Sequence, residues 1–343
     1  MVRLIDIAKE LDLNVSVVSR ALNPNPDLNA VVKEETRELV RQTAKRLGYR
    51  PNRQASFLKK GGDATLLCYL PGTADRLVAD LMFGISEAAA SEGFPLTFFN
   101  GANSDDFCKF LEEASKMKHS GLITYPPQKM DEKAVNAFET YLAGGGKVLI
   151  LNAVSNIPLN SFCKEYNNVV YLDIDDAYGS SLAVRHLADC QCTHIRYVGP
   201  RFRKRFQGVT ETAAELSLDC ALLDMNELKI LIAEKKKVGI FAMRDVDALN
   251  VLTVLAVERY AVGKEVFVVG FDDLPQCVWI EPRLSSVHQP TRSEGKRAVE
   301  KMINMIFGKK ENNETIKPYL MVRESSGGGR PDPEDLKTET IIY

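Results

Sequence analysis

The stretch RLIDIAKELDLNVSVVSRALN, Arg3 to Asn23, holds residue types and spacings that point to a definite chemistry, and that chemistry is recognition rather than bond-making. Ile5, Ala8 and Leu11 recur at the spacing of one apolar helix face. Asp12-Leu13 interrupts it, and the side-chain oxygen of Asn14 can cap a second helix. Val15, Val18, Ala21 and Leu22 then restart the apolar period. Two short helices across a short break make a helix-turn-helix pattern, whose second helix can enter a DNA major groove. The charge balance points the same way. Residues 1–60 hold 12 Lys+Arg against 7 Asp+Glu, a net of +5, in a chain whose total is −2, so the remaining residues carry −7. A basic head on an acidic body is the footprint of a protein that meets phosphates at one end.

Spacings that would support catalysis or a metal are missing. The Gly144–Lys147 run GGGK lacks the spacing of a phosphate-binding loop, and Val148 follows its lysine. There is no G-x-S-x-G elbow. His186, His194 and His288 stand apart, without a Cys or Ser partner at motif spacing. Asp272-Asp273 after a strand is too little for a metal site. The seven cysteines are scattered, and only Cys190 and Cys192 are close. With four histidines in the chain, zinc is not expected, and unpaired cysteines fit a reducing cytoplasm. The sequence therefore argues against an enzyme, and no cofactor or metal is expected. No run of 18 apolar residues marks a transmembrane helix, and the N-terminus MVRLIDIAKEL does not read as a secretory signal.

These residues need elements to hold them. After the second helix comes the turn-rich NPNPDLNAVV, then a third helix from about Lys33 to Leu47, stopped by Gly48. YRPNRQASFLKKGG reads as a short basic linker with one helical turn or two, capped by Asn52 and ended by Gly61-Gly62. From Ala64 the character changes. TLLCYLP, PLTFFN, GLITY and KVLILN are apolar runs separated by helices near 79–92, 105–118 and 131–142. A second set is expected to begin at VVYLDI (Val169–Ile174) and to continue through HIRYVG, CALLDM, VGIFAM and VFVVGF. Its helices fall near 177–190, 204–216, 226–235 and 245–260. Strand–helix alternation with buried, continuously apolar strands predicts doubly wound parallel α/β sheets. Two such lobes in tandem bind ligands at the carboxyl ends of their strands.

In this order and spacing the segments resemble the LacI/GalR-type transcriptional regulators over nearly the whole chain, about residues 3–326. The segments that carry the resemblance are DIAKELDLNVSVVSRALN, ETRELVRQTAKRLGYRPNRQASFLK, GLITYPP, VVYLDIDDAYGSSLAVRHLADCQCTHIRYVGP, VFVVGFDDLPQCVWIEPRLSSVHQP and LMVRESS. The resemblance implies a helix-turn-helix head (1–50), a hinge helix or linker (51–62) and a two-lobed core like that of periplasmic binding proteins (63–326). The first lobe would span about 63–153 and 289–317, and the second about 154–288 and 318–326. Residues 327–343, rich in Gly and Pro and then in charge, are expected to form a disordered tail. It also implies a homodimer on a palindromic DNA operator, repression as the default, a small-molecule effector that is a sugar or an anionic metabolite, a cytoplasmic location and no membrane.

Residue by residue, the resemblance assigns base-edge contacts to Val15, Ser16 and Arg20. Arginine can bond guanine O6 and N7, and valine suits the thymine methyl. Asn14 and Ser19 would position the helix. Leu58 matches a hinge leucine that wedges into the minor groove, with Ala55 one turn earlier and Asn52 and Arg53 at the hinge start. In the cleft, Arg205, Asp272 and Asn152 match polar effector-binding positions, and Arg244 stands where relatives carry Asn. Asp12 stands where relatives usually carry Gly. Arg244 beside Arg205 favours an anionic effector. If Arg244 instead points away or pairs with Asp272, the cleft is degenerate and answers to no small molecule. A solute-binding protein is the remaining alternative, and it would carry a signal peptide and no helix-turn-helix.

Overall fold

The computed structural model describes residues 2–22, 31–49, 65–73, 75–127, 129–151, 166–201 and 204–329. It divides into two units, Met1–Gly61 and Gly62–Tyr343. The first unit holds three helices among its described residues: α1 (Leu4–Glu10), α2 (Val15–Ala21) and α3 (Glu34–Arg46). Ile7, Ala8, Val18, Ala21, Val32, Val40 and Ala44 form their shared core. The apolar face of α1 differs from the sequence expectation: Ile5 is exposed, while Ile7 is buried beside Ala8. Both fit a 3.6-residue period, and the period alone does not choose between adjacent registers. Asp12 turns the chain between α1 and α2 with φ at 51°. That left-handed geometry is open to Asp and easier still for Gly. Glu10 of α1 pairs with Arg46 of α3 across the unit. Gly48, at φ 67°, closes α3 where the sequence predicts a stop.

The second unit contains twelve strands among its described residues. They are β1 (Leu66–Pro71), β2 (Leu96–Gly101), β3 (Gly121–Thr124), β4 (Val148–Leu151), β5 (Val169–Ile174), β6 (His194–Val198), β7 (Asp219–Leu222), β8 (Val238–Ala242), β9 (Val266–Asp272), β10 (Ser285–His288), β11 (Glu314–Ile316) and β12 (Tyr319–Met321). Between them run α4 (Arg76–Glu92), α5 (Ser104–Lys116), α6 (Glu132–Ala143), α7 (Asp176–Asp189), α8 (Lys204–Glu215), α9 (Met225–Ala233), α10 (Asp245–Val257) and α11 (Thr291–Ile306). The strands form two six-stranded sheets, ordered β11-β5-β4-β3-β1-β2 and β12-β10-β9-β8-β6-β7. Pairing is parallel throughout except for β12, which runs antiparallel to β10. Strands such as Leu66–Leu70 and Val266–Phe271 are buried along their whole length, as a sheet covered on both faces requires.

One expected assignment is corrected. VVYLDI, read in sequence as opening the second lobe, is β5, and it pairs with β4 in the first sheet. The chain leaves the first lobe one strand later than expected, between Ile174 and α7, whose Ala183, Val184 and Leu187 lie in the core of the second. It returns after β10, with α11 packed on α4, β3 and β4, and crosses once more between β11 and β12. Asp173, Ile174, Asp176, Gln289 and Thr291 sit at two of these crossings, and all five line the interlobe cavity. Residues 330–343, the greater part of the segment read as a disordered tail, lie outside the described residues.

Candidate functional site

The first candidate surface is the exposed side of α2. Asn14 caps this helix: its Oδ1 accepts from the backbone N–H of Ser16 at 2.9 Å and from the Ser16 hydroxyl at 2.9 Å. The cap fixes the first turn, and four residues after it face solvent: Val15, Ser16, Ser19 and Arg20. Positions 15 and 19 stack one turn apart, as do 16 and 20, so the four share a face. The opposite face sends Val18 and Ala21 into the three-helix core. Val15 is 38% exposed, an apolar side chain on the solvent face of the helix. Among the described residues no carboxylate pairs with Arg20, which leaves its guanidinium fork open to an external acceptor. The proposed hinge residues Asn52, Arg53, Ala55 and Leu58 lie outside the described residues.

The second candidate is a cavity of about 770 Å³ between the two sheets of the second unit. It opens at the carboxyl ends of strands from both lobes, where parallel α/β sheets place ligands. Leu77, Val78 and Leu81 of α4 give it an apolar wall on one side, and Val246 and Leu274 on the other. Arg205, from the first turn of α8, is its electrostatic centre. Its Nε donates to Asp176 at 3.0 Å, and its Nη1 donates to the Met243 carbonyl at 2.6 Å and to Asp272 at 3.2 Å. The Phe271 ring lies under the guanidinium, 3.6 Å from ring centroid to Cζ. Burial opposes the charge on Arg205, yet Asp176 and Asp272 outweigh it and raise its pKa. Gln289 donates to the same Asp272 oxygen at 2.7 Å. Arg205 and Asp272 were singled out in the sequence, and they meet here. Asn152 lies outside the described residues.

Arg244 lines the cavity but neither reaches Asp272 nor stands as a free charge. Its Nε and Nη2 donate to the two oxygens of Asp247, each at 2.9 Å, in a bidentate fork at the start of α10. Lys204 faces Asp173 at 3.7 Å. Among the described residues, each cation of the lining thus has a carboxylate beside it. Among the described residues the lining holds Asp75, Asp173, Asp176 and Asp272 against Lys204, Arg205 and Arg244, four negative against three positive. Arg244 therefore does not stand as a second free guanidinium beside Arg205, the arrangement on which the expectation of an anionic effector rested.

A buried carboxylate holds the turn that presents Asp272. Asp272 and Asp273 take φ values of 119° and 52°, which cost energy for residues with a side chain. Asp245, wholly buried at the start of α10, accepts from the Leu274 N–H at 2.7 Å, the Cys277 thiol at 3.1 Å and the Ser286 hydroxyl at 2.6 Å. The Ser286 hydroxyl in turn accepts from the Asp273 N–H at 3.0 Å. Asp273 takes hydrogen bonds from His288 at 2.9 Å and Arg323 at 2.7 Å, which hold its carboxyl below the usual range in spite of burial. Gly270 is required at its position, because a Cβ there would lie 2.2 Å from the Asp245 carboxylate. Burial pushes Asp245 up to about 7 and Asp272 up to about 6.

Those two shifts predict a pH dependence. A carboxyl whose pKa is higher in the folded than in the unfolded state makes a contribution that is full at low pH and lost as pH rises through the folded value. The melting temperature is therefore expected to fall between pH 5 and pH 8. In Asp245→Asn the fall should be shallower by about 1–3 kcal/mol over the same window, equivalent to several degrees. Thermal melts at half-unit pH steps check this, and parallel curves for the two proteins would remove Asp245 as the source.

Several partners in this site were not singled out in the sequence: Asp176, Gln289, Asp245, Asp247 and Phe271. The pair Asp175-Asp176 directly after strand VVYLDI was the available signal, since polar residues at a strand's carboxyl end mark ligand sites in such sheets. Among the described residues no group of three or more His, Cys, Asp or Glu is placed to hold a metal ion. No helix among them is long and apolar enough to cross a membrane.

Comparison with known proteins agrees with this architecture. Residues 184–326 match the family described as a periplasmic binding protein-like domain. The chain is 22% identical to the HTH-type transcriptional repressor PurR of Mannheimia succiniciproducens, over 93% of this chain and 97% of that one. Its fold is similar to that of a transcriptional regulator CelR–cellobiose complex, with TM-score 0.62 and 22% identity over 95% of this chain and all of the other. It is equally similar to a lac repressor dimer bound to operator and the anti-inducer ONPF, with TM-score 0.62 and 19% identity over 95% of this chain and 99% of the other. With a helix pair at the N-terminus whose second helix is capped, and two largely parallel sheets around a polar cleft, the chain is similar from end to end to HTH-type transcriptional regulators, as its resemblance to the LacI/GalR type implies.

Proposed function

We propose that the chain is a sequence-specific DNA-binding regulator, a repressor by default, whose operator affinity is set by a small neutral, hydroxyl-rich ligand in the interlobe cleft. The observation that carries this reading is the Asp176–Arg205–Asp272–Gln289 network at the cavity. A hydroxyl both donates and accepts, so it can bond a carboxylate and a guanidinium at once. An anion entering a cleft whose described cations already face carboxylates gains no unshared cation there and loses its hydration. A related regulator has been solved with cellobiose, a neutral sugar. A ligand shifts DNA affinity only by preferring one arrangement of the lobes, and contacts from both sheets to one molecule supply that preference.

Val15, Ser16 and Arg20 read base edges in this proposal, while Asn14 and Ser19 set the helix on the backbone. Asn52, Arg53, Ala55 and Leu58 enter through the family resemblance alone. The chain acts in the cytoplasm and is not an enzyme; its relatives are regulators, and its described cysteines are free thiols. DNA selection with the full chain, followed by sequencing of the bound pool, tests the DNA half. An enriched inverted repeat is expected, and a pool without sequence preference contradicts it.

The chain works as a homodimer in this reading. Helix α10 buries Ala248, Val251, Leu252 and Leu255 on one face, yet it also exposes Val254 and Val257 along another. A helix apolar on both faces is covered on both in the working assembly. Val257 is 77% exposed, and Trp279, beyond β9, is 66% exposed. The related lac repressor was solved as a dimer on operator. The paired change Val257→Asp and Trp279→Asp is expected to shift the chain to monomer in sedimentation velocity, with its melting temperature nearly unchanged. A dimer of undiminished affinity would place the interface elsewhere.

A further inference from the structure

We propose that Asp247 is a specificity-determining residue that excludes anionic ligands by occupying Arg244 from within the chain. The inference rests on the reading of the cleft as the site of a neutral ligand, and it names the device that keeps the site neutral. Arg244 is the residue immediately before α10, with an extended backbone that carries its side chain along the cavity. Unopposed, it would add a guanidinium to a cleft that already holds Arg205. A planar guanidinium binds carboxylate and phosphate through two parallel hydrogen bonds, and no other side chain imitates that fork. The fork is already filled. Asp247, three residues on and therefore on the same side of the helix, takes Nε on one oxygen and Nη2 on the other, each at 2.9 Å. An arriving phosphate meets a guanidinium that carries a carboxylate, and it must either displace that carboxylate or lie beside it, like charge against like charge.

The geometry of the pair suits this role better than a structural one. The Arg244 side chain is 55% exposed against 20% for Asp247, so water screens the pair from the arginine side and its contribution to folding is modest. The fold already anchors this end of α10 through the buried Asp245, which binds Leu274, Cys277 and Ser286. What Asp247 changes is the ligand chemistry available at the rim. The cleft has the same arrangement at its centre, where Asp176 and Asp272 occupy Arg205. Specificity here comes from what the site repels as well as from what it attracts.

The test compares binding of D-glucose, glucose 6-phosphate and inorganic phosphate to the full chain by calorimetry. In the wild type, neither phosphate compound is expected to bind more tightly than glucose. In Asp247→Asn, affinity for glucose 6-phosphate and for inorganic phosphate should rise at least tenfold, with glucose changed less than threefold. The double variant Arg244→Gln, Asp247→Asn should lose that gain, because the freed guanidinium is its source. Glu258→Gln removes one charge beyond the other end of the same helix, where Glu258 pairs with Lys229, and should show no gain. The inference is overturned if Asp247→Asn gains no phosphate affinity, if the gain survives removal of Arg244, or if Glu258→Gln gains as much. A wild type that already prefers the phosphates overturns the neutral-ligand reading as well, so the two failures are distinguishable.

Discussion

Replacing Arg205 with alanine is expected to cost about 3–5 kcal/mol of folding stability, the largest effect of any single change at the cleft. Its guanidinium, largely buried, lies against two carboxylates, a carbonyl and the Phe271 ring at once. Its removal leaves Asp176 and Asp272 without their shared counter-charge, and Asp272 is itself buried enough to be pushed up to about 6. Arg205→Lys should recover only part of the loss, since an ammonium has no planar fork to reach Asp176, Met243 and Asp272 together. Adding Asp272→Asn to Arg205→Ala should restore stability relative to the single change, because it withdraws the stranded charge. Urea denaturation followed by circular dichroism reads all three. A loss below about 1 kcal/mol for Arg205→Ala would mean that the network is solvated and does not bridge the elements it touches.

Arg20→Ala should leave the fold intact and change what the head reads. Arg20 is exposed in the last turn of α2, on the face shared with Ser16. If it bonds a base edge, its loss costs about 1–3 kcal/mol per half-site and relaxes preference at one position only. If it contacts phosphate, every sequence weakens alike and the salt dependence flattens. Binding isotherms on the selected site and on single-base variants, at two salt concentrations, separate the two outcomes. We expect the first, and uniform weakening would contradict it.

The parts of this fold that could be read in the sequence are those fixed by local chemistry. Asn14 as a cap, Gly48 as a stop and the apolar runs of the parallel strands each reflect a neighbour-scale requirement, and the elements follow within about three residues. What escaped reading depends on distant partners. The run VVYLDI is equally apolar in either sheet, so nothing local says that β5 pairs with β4 before the chain crosses over. The helix α11 buries Glu294 and Lys301, and charged residues blur the apolar stripe by which a helix declares itself. Lys301 is stable there because Glu311 and Glu314 meet it at 3.1 and 2.9 Å.

The cleft shows the same division. Arg205 and Asp272 were legible through family resemblance, and the structure places them 3.2 Å apart. Arg244 was legible as a position but not as a chemistry. Its meaning depends on Asp247, three residues away, and a pair at that spacing forms only if the helix and both rotamers permit it. Asp245 could not be distinguished in sequence from any other carboxylate at a helix start. Only burial against Ser286 and Cys277, forty-one and thirty-two residues later, makes it the support of the Asp272 turn.

The central claim is that a neutral ligand in the cleft controls the affinity of the head for DNA. Operator titrations with the full chain, using the selected inverted repeat, test it most directly when run with and without each of a panel of neutral sugars and their phosphates. At least one neutral sugar should shift the operator dissociation constant by roughly 5–150-fold, a coupling of about 1–3 kcal/mol, while its phosphate does not. An operator affinity unchanged by every neutral sugar that binds the chain, or one that responds only to the phosphates, would contradict it.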